Sequence, residues 1–85
     1  MEADQRSFAA WLRAQRASLR VLQEDAAKEF GVSRATLSAW ENGEQLPSRI
    51  EYLVKIAAWA EVDPIDVFVL CAEDSGRMTA AREAS

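Results

Sequence analysis

Residues 23–43, QEDAAKEFGVSRATLSAWENG, carry the densest positional information in this chain. They read as two short helices, Gln23 to Phe30 and Arg34 to Asn42, joined by a sharp turn at Gly31-Val32-Ser33. Gly31 follows the last apolar residue of the first helix, and Gly43 follows the second. Both suit the left-handed position just past a helix end, which glycine occupies without a Cβ penalty. Ser33 stands immediately before the second helix, where its hydroxyl can accept from an orphan N–H of the first turn. Ala26, Ala27, Phe30, Val32, Leu37 and Trp40 fall at spacings that let two crossed helices share one small core. Arg34, Ala35, Ser38 and Ala39 fall off that core face, so the pattern points them outward together.

Upstream, Phe8, Trp11, Leu12 and Gln15 follow helical spacing and predict a first helix from about Asp4 to Ala17. Ser18–Leu22 reads as a connection. Downstream, Glu44–Pro47 reads as a loop. Pro47-Ser48-x-x-Glu51 then predicts a new helix opened by a capping box. Its apolar face would be Ile50, Leu53, Val54, Ile56, Ala57 and Ala60. Asp63-Pro64 supplies a cap and a first-turn proline for a last helix, Pro64 to about Glu73. That helix has two apolar stripes. Ile65, Phe68, Val69 and Ala72 make one; Val67, Leu70 and Cys71 make the other. One stripe should close the core and the other lacks a partner within the chain. Residues 74–85, DSGRMTAAREAS, read as a flexible polar tail after a domain of residues 1–73.

The composition bounds the chemistry. Eighty-five residues with 49% hydrophobic content make one small folded domain. Three Gly, two Pro and abundant Ala favour an all-helical one. A single Cys excludes an intrachain disulfide, and with no His leaves no credible zinc site. No catalytic constellation or Gly-rich phosphate loop is present, so neither an enzyme nor a cofactor is expected. The apolar runs fall far short of the roughly 20 residues that span a bilayer. The N-terminus MEADQRS is unlike a signal peptide, so the cytoplasm is the default. The net charge is −4. Residues 1–50 balance seven basic against seven acidic groups, whereas residues 51–85 hold three basic and seven acidic. This division implies a neutral-to-basic face over the two-helix unit and an acidic back, with weak non-specific attraction to nucleic acid.

With these residues in place, the chain resembles the phage-repressor/Cro-like (XRE) helix-turn-helix family. The resemblance rests on Gln23, Ala27, Gly31-Val32-Ser33, Leu37 and Glu41-Asn42-Gly43. It extends upstream to Leu12-Arg13-x-x-Arg16, and downstream to Pro47-Ser48, Leu53-x-Lys55-Ile56-Ala57 and Val62-Asp63. It covers roughly residues 8–68. It implies an all-α, compact five-helix lambda-repressor-like domain that places Arg34–Trp40 in the major groove of double-stranded DNA. Arg34 would read a guanine edge, with Ala35, Ser38 and Ala39 beside it as further base readers. Phosphate contacts would come from Arg13, Arg20, Gln23, Lys28, Ser33, Thr36, Asn42 and Arg49. Arg16 and Glu41 would form a structural ion pair that aims the recognition helix. Trp59, Val67, Leu70 and Cys71 would build a homodimer interface, placing half-sites about 34–36 Å apart.

Several residues depart from the family pattern. Arg20 stands where glycine is usual, and Leu22 where Ser or Thr would cap the helix. Glu44-Gln45 replaces a commonly basic loop, and Ala39 a longer reader. The expected function is a transcriptional regulator, a repressor binding a palindromic operator as a homodimer. Two alternatives stay open: an antitoxin that binds a toxin and represses its own operon, and an interaction module that kept the fold and lost DNA binding.

Overall fold

Five helices follow one another through residues 7–84, the part described by the computed structural model. They are α1 (Phe8–Leu19), α2 (Gln23–Phe30), α3 (Arg34–Glu41), α4 (Ile50–Ala60) and α5 (Pro64–Ala84). No strand occurs among the described residues. Helix α3 packs on α2 and α1, while α5 packs along α4 and reaches α1. No described helix is long and apolar enough to cross a membrane.

Three helix ends share one device. After α1, α2 and α4 the chain turns left-handed at Arg20 (φ 57°), Gly31 (φ 74°) and Glu61 (φ 59°). A valine follows each: Val21, Val32 and Val62. Their N–H groups reach back to the carbonyls of Arg16, Ala27 and Ala57 at 3.0–3.1 Å. All three valines pack against the core, as the apolar contact of this helix stop requires. Only the middle turn has a glycine, so the other two hold a side chain in a conformation that costs it about 1–2 kcal/mol. Helix α1 thus stops where the family has glycine, with Arg20 in its place.

The core is built from Phe8, Leu12, Ala26, Ala27, Phe30, Leu37, Trp40, Leu53, Ile56, Ala57, Val67 and Cys71. A row of rings crosses it. Trp59 meets Phe30 edge-on at 5.1 Å between centroids, Phe30 lies 6.4 Å from Trp40, and Trp40 lies 5.6 Å from Tyr52. The row ties α4 to both helices of the central unit.

The structure corrects four expectations. Helix α1 opens at Phe8, with Ser7 accepting from the Ala10 N–H at 3.0 Å; the expected start at Asp4 lies outside the described residues. The capping box at Ser48 and Glu51 does not form. The backbone stays extended through Arg49 (φ −122°, ψ 140°), one residue too late for Ser48 to cap, and Glu51 accepts from Arg49 Nη1 at 3.3 Å instead.

The two stripes of the last helix exchange roles. Val67 and Cys71 are buried and Leu70 is half-buried, so these residues close the monomer core. Ile65 and Phe68 stay 67% and 55% exposed, joined by Ile50 at 74% and by Val54. Of the residues expected to build a dimer interface, Val67 and Cys71 are taken up by the monomer core, while Trp59 and Leu70 are half-buried. A polar contact accompanies the buried stripe. The Phe8 N–H donates to the Asp74 carboxylate at 2.6 Å. Val67, Cys71 and Asp74 share one helical face, so the bond from Phe8 to Asp74 forms on the side of α5 that meets the core. Finally, α5 continues to Ala84 rather than ending near Glu73. A single Gly76 costs a helix only about 1 kcal/mol, and the Ala, Arg, Met and Glu beyond it are strong helix formers.

Candidate nucleic-acid interface

Helix α3 is short and held at both ends. At its start, the Ser33 hydroxyl accepts from the Thr36 N–H at 3.1 Å and exchanges a hydrogen bond with the Thr36 hydroxyl at 3.0 Å. At its end, Asn42 follows the helix and Gly43 takes φ 78° to leave it. The Glu44 N–H returns to the Ala39 carbonyl at 3.0 Å. Leu37 and Trp40 bury one face of α3 against the core.

The centre of the arrangement is Glu41, a carboxylate only 2% exposed. An ion at that depth is tolerated only when its lone pairs are taken up. Arg16 Nε donates to Oε2 at 2.7 Å and Arg16 Nη2 to Oε1 at 3.0 Å, a forked pair. The remaining Arg16 nitrogen, Nη1, donates to the Val21 carbonyl at 3.0 Å, which also fixes the α1–α2 connection. The Glu41 carboxylate raises the Arg16 pKa, chiefly through this hydrogen bond, against the opposing effect of burial. Gln23 Nε2 adds a third bond to Glu41 Oε1 at 3.0 Å. Arg13 Nη1 donates to the Glu41 backbone carbonyl at 3.0 Å, where a cation also favours the helix C-terminus. Side chains from α1 and α2 thus lock the far end of α3.

Arg34 and Ala35 are exposed at the start of α3, and Ser38 and Ala39 are half-buried one turn on. Arg34 Nε donates to Gln23 Oε1 at 3.4 Å, and Asn42 Nδ2 to the Ser38 hydroxyl at 3.4 Å. The four residues read as base contacts therefore lie along one short helix. The cations read as phosphate contacts are spread more widely. Lys28 is exposed on α2 and Arg20 at the end of α1. Arg49, before α4, faces Glu51 across a solvated pair of little energetic value. Glu24, Asp25 and Glu44 are also exposed, so the local field is mixed rather than basic.

Two roles escaped the sequence. Arg13 is a cap for the recognition helix, and Gln23 is bonded through both ends of its amide. Helical spacing assigns a residue to a face but not to a partner on another helix, so neither contact had a signal in the pattern.

Residues 12–58 match the model of the helix-turn-helix family. No curated protein and no solved structure matches the chain.

Proposed function

The chain belongs to the helix-turn-helix family of XRE type, whose members are DNA-binding transcription regulators, and from that premise we propose that it is a repressor that occupies a palindromic operator as a homodimer. The observation that carries this reading is a recognition helix locked at both ends with Arg34 and Ala35 exposed at its leading turn. A helix so held pays little ordering entropy when it enters a groove. Arg34 has the fork that fits guanine O6 and N7.

A second copy is favoured by two features. The cations available for phosphates are few and interspersed with acids, so one half-site supplies little affinity. Ile50, Leu53, Val54, Pro64, Ile65 and Phe68 line a groove of about 290 Å³ between α4 and α5. Burying this face against its own twin removes the apolar surface from water and doubles the phosphate contacts. The pairing involves α4 and the outer stripe of α5, not the residues that close the core.

An electrophoretic shift on the DNA upstream of its own gene tests the reading. Specific retention that Arg34→Ala abolishes supports it. No retention at low salt rejects it in favour of an interaction module, and a co-purifying toxin would mark an antitoxin.

A further inference from the structure

The outward face of α3 is built mostly from small side chains. Arg34 and Ala35 are exposed at its first turn, and Ser38 and Ala39 are half-buried one turn on. Of these four only Arg34 is long, and the two alanines present nothing but a methyl group. The hydroxyls beside them are engaged within the protein. Ser33 and Thr36 share a hydrogen bond of 3.0 Å, and the Ser38 hydroxyl accepts from Asn42 Nδ2 at 3.4 Å. Ala35 and Ala39 are four residues apart, so their methyl groups stand on one side of the helix, about 6 Å apart along its axis. The major groove offers such a methyl one apolar feature, the C5-methyl of thymine. Opposite a purine the same alanine leaves N7 and the neighbouring polar group desolvated without a partner, which opposes binding. Opposite cytosine it meets the N4 donor and no methyl.

We propose that Ala35 and Ala39 read thymine methyl groups, so that the operator half-site is selected by apolar contact beside the guanine that Arg34 reads. This rests on the DNA-binding reading of the recognition helix. The spacing of the two alanines is close to two base steps of roughly 3.4 Å, which sets the thymines about two base pairs apart when α3 lies along the groove. A sensitivity to DNA modification follows. Cytosine methylated at C5 presents its methyl group at the same ring position as thymine. A half-site carrying 5-methylcytosine there therefore binds more tightly than one carrying cytosine, and occupancy of the operator responds to cytosine methylation.

The test uses the full chain and synthetic duplexes. Selection from a randomised library first gives the preferred half-site, which is expected to hold thymines beside a guanine whose preference Arg34→Ala removes. Replacing each such thymine with deoxyuridine removes one methyl group and keeps every hydrogen-bonding edge. At the two contacted positions this weakens binding about fourfold, the worth of one buried carbon of this size, and elsewhere it has no effect. At the same two positions 5-methylcytosine binds about fourfold better than cytosine. Ala35→Gly and Ala39→Gly, each first shown to be folded by circular dichroism, abolish the deoxyuridine penalty at one position apiece. A half-site without thymines, or one whose affinity deoxyuridine leaves unchanged, overturns the inference and leaves the DNA-binding reading intact. A penalty that persists in both glycine variants also overturns it, since the methyl groups then act through duplex shape or another residue. Absence of any selected half-site at low salt overturns the DNA-binding reading and the inference with it.

Discussion

Arg16 and Glu41, 25 residues apart in sequence, meet through two parallel bonds of 2.7 and 3.0 Å. The pair joins the first helix to the last turn of the recognition helix. Glu41 is fully buried while Arg16 retains a quarter of its side-chain exposure, so the carboxylate bears most of the desolvation. Removing the guanidinium strands that charge. Arg16→Ala is expected to destabilise the fold by about 3–5 kcal/mol, a large share of the stability of a domain this small. Replacing both residues with apolar side chains of similar volume should cost less than Arg16→Ala alone. Urea unfolding followed by tryptophan fluorescence measures both; equal stability of Arg16→Ala and the parent rejects the pair's role.

The helix ends offer gains. Leu22 precedes α2 and gives no side-chain cap to the orphan N–H groups of its first turn. Leu22→Thr should raise stability by about 0.5–2 kcal/mol. Arg20→Gly and Glu61→Gly relieve left-handed side chains and should add roughly 0.5–1 kcal/mol each, after the greater freedom of glycine in the unfolded chain is set against it. Thermal midpoints report these changes. A fall in midpoint for both glycine variants would contradict the strain assigned to Arg20 and Glu61.

Cys71 sits against the core, and its thiol pKa is pushed up to about 12, first by burial and then by the nearby Asp74 carboxylate. The folded state therefore keeps its proton where the unfolded thiol, with an ordinary value near 9.0, has lost it. The unfolded state binds fewer protons in that window, so stability falls as pH rises from about 9 toward 12. Cys71→Ala should flatten this alkaline limb while lowering stability at neutral pH through the lost packing. Alkylation of the native thiol at pH 8 should also be slow, since the thiolate is the reactive form. Rapid labelling of folded protein would place Cys71 outside the core.

Oligomeric state separates the outer stripe of α5 from the ring packing of α4. Phe68→Glu should leave the fold intact and abolish self-association at high micromolar concentration, as read by sedimentation. Trp59→Ala should instead lower stability by roughly 2–4 kcal/mol, because it removes the ring packed edge-on against Phe30. Dimerisation that survives Phe68→Glu would rule out the α4–α5 groove as the contact.

Much of this molecule is legible in its residues. Gly31, Ser33 and Gly43 punctuate the central unit because each answers a local backbone demand: a left-handed stop, a cap, a second stop. Ala27, Phe30, Leu37 and Trp40 are buried because their spacing leaves one side for a core. The missing cap at Leu22 was equally readable, since it depends on one side chain and its own helix. The boundaries that misled, at Ser48 and beyond Glu73, are places where a favourable local motif competes with the path of the chain or with helix propensity.

The chain alone determined the five helices, their order and the face that each half of the helix-turn-helix turns inward, because those follow from local sterics and a 3.6-residue period. Only the tertiary structure decided which stripe of α5 is buried, since both are apolar at helical spacing and the choice depends on what the other helices present. It likewise decided that Arg13 and Gln23 join Arg16 at Glu41. A buried carboxylate draws donors from whatever helices surround it, and which helices those are is a property of packing, not of spacing along the sequence.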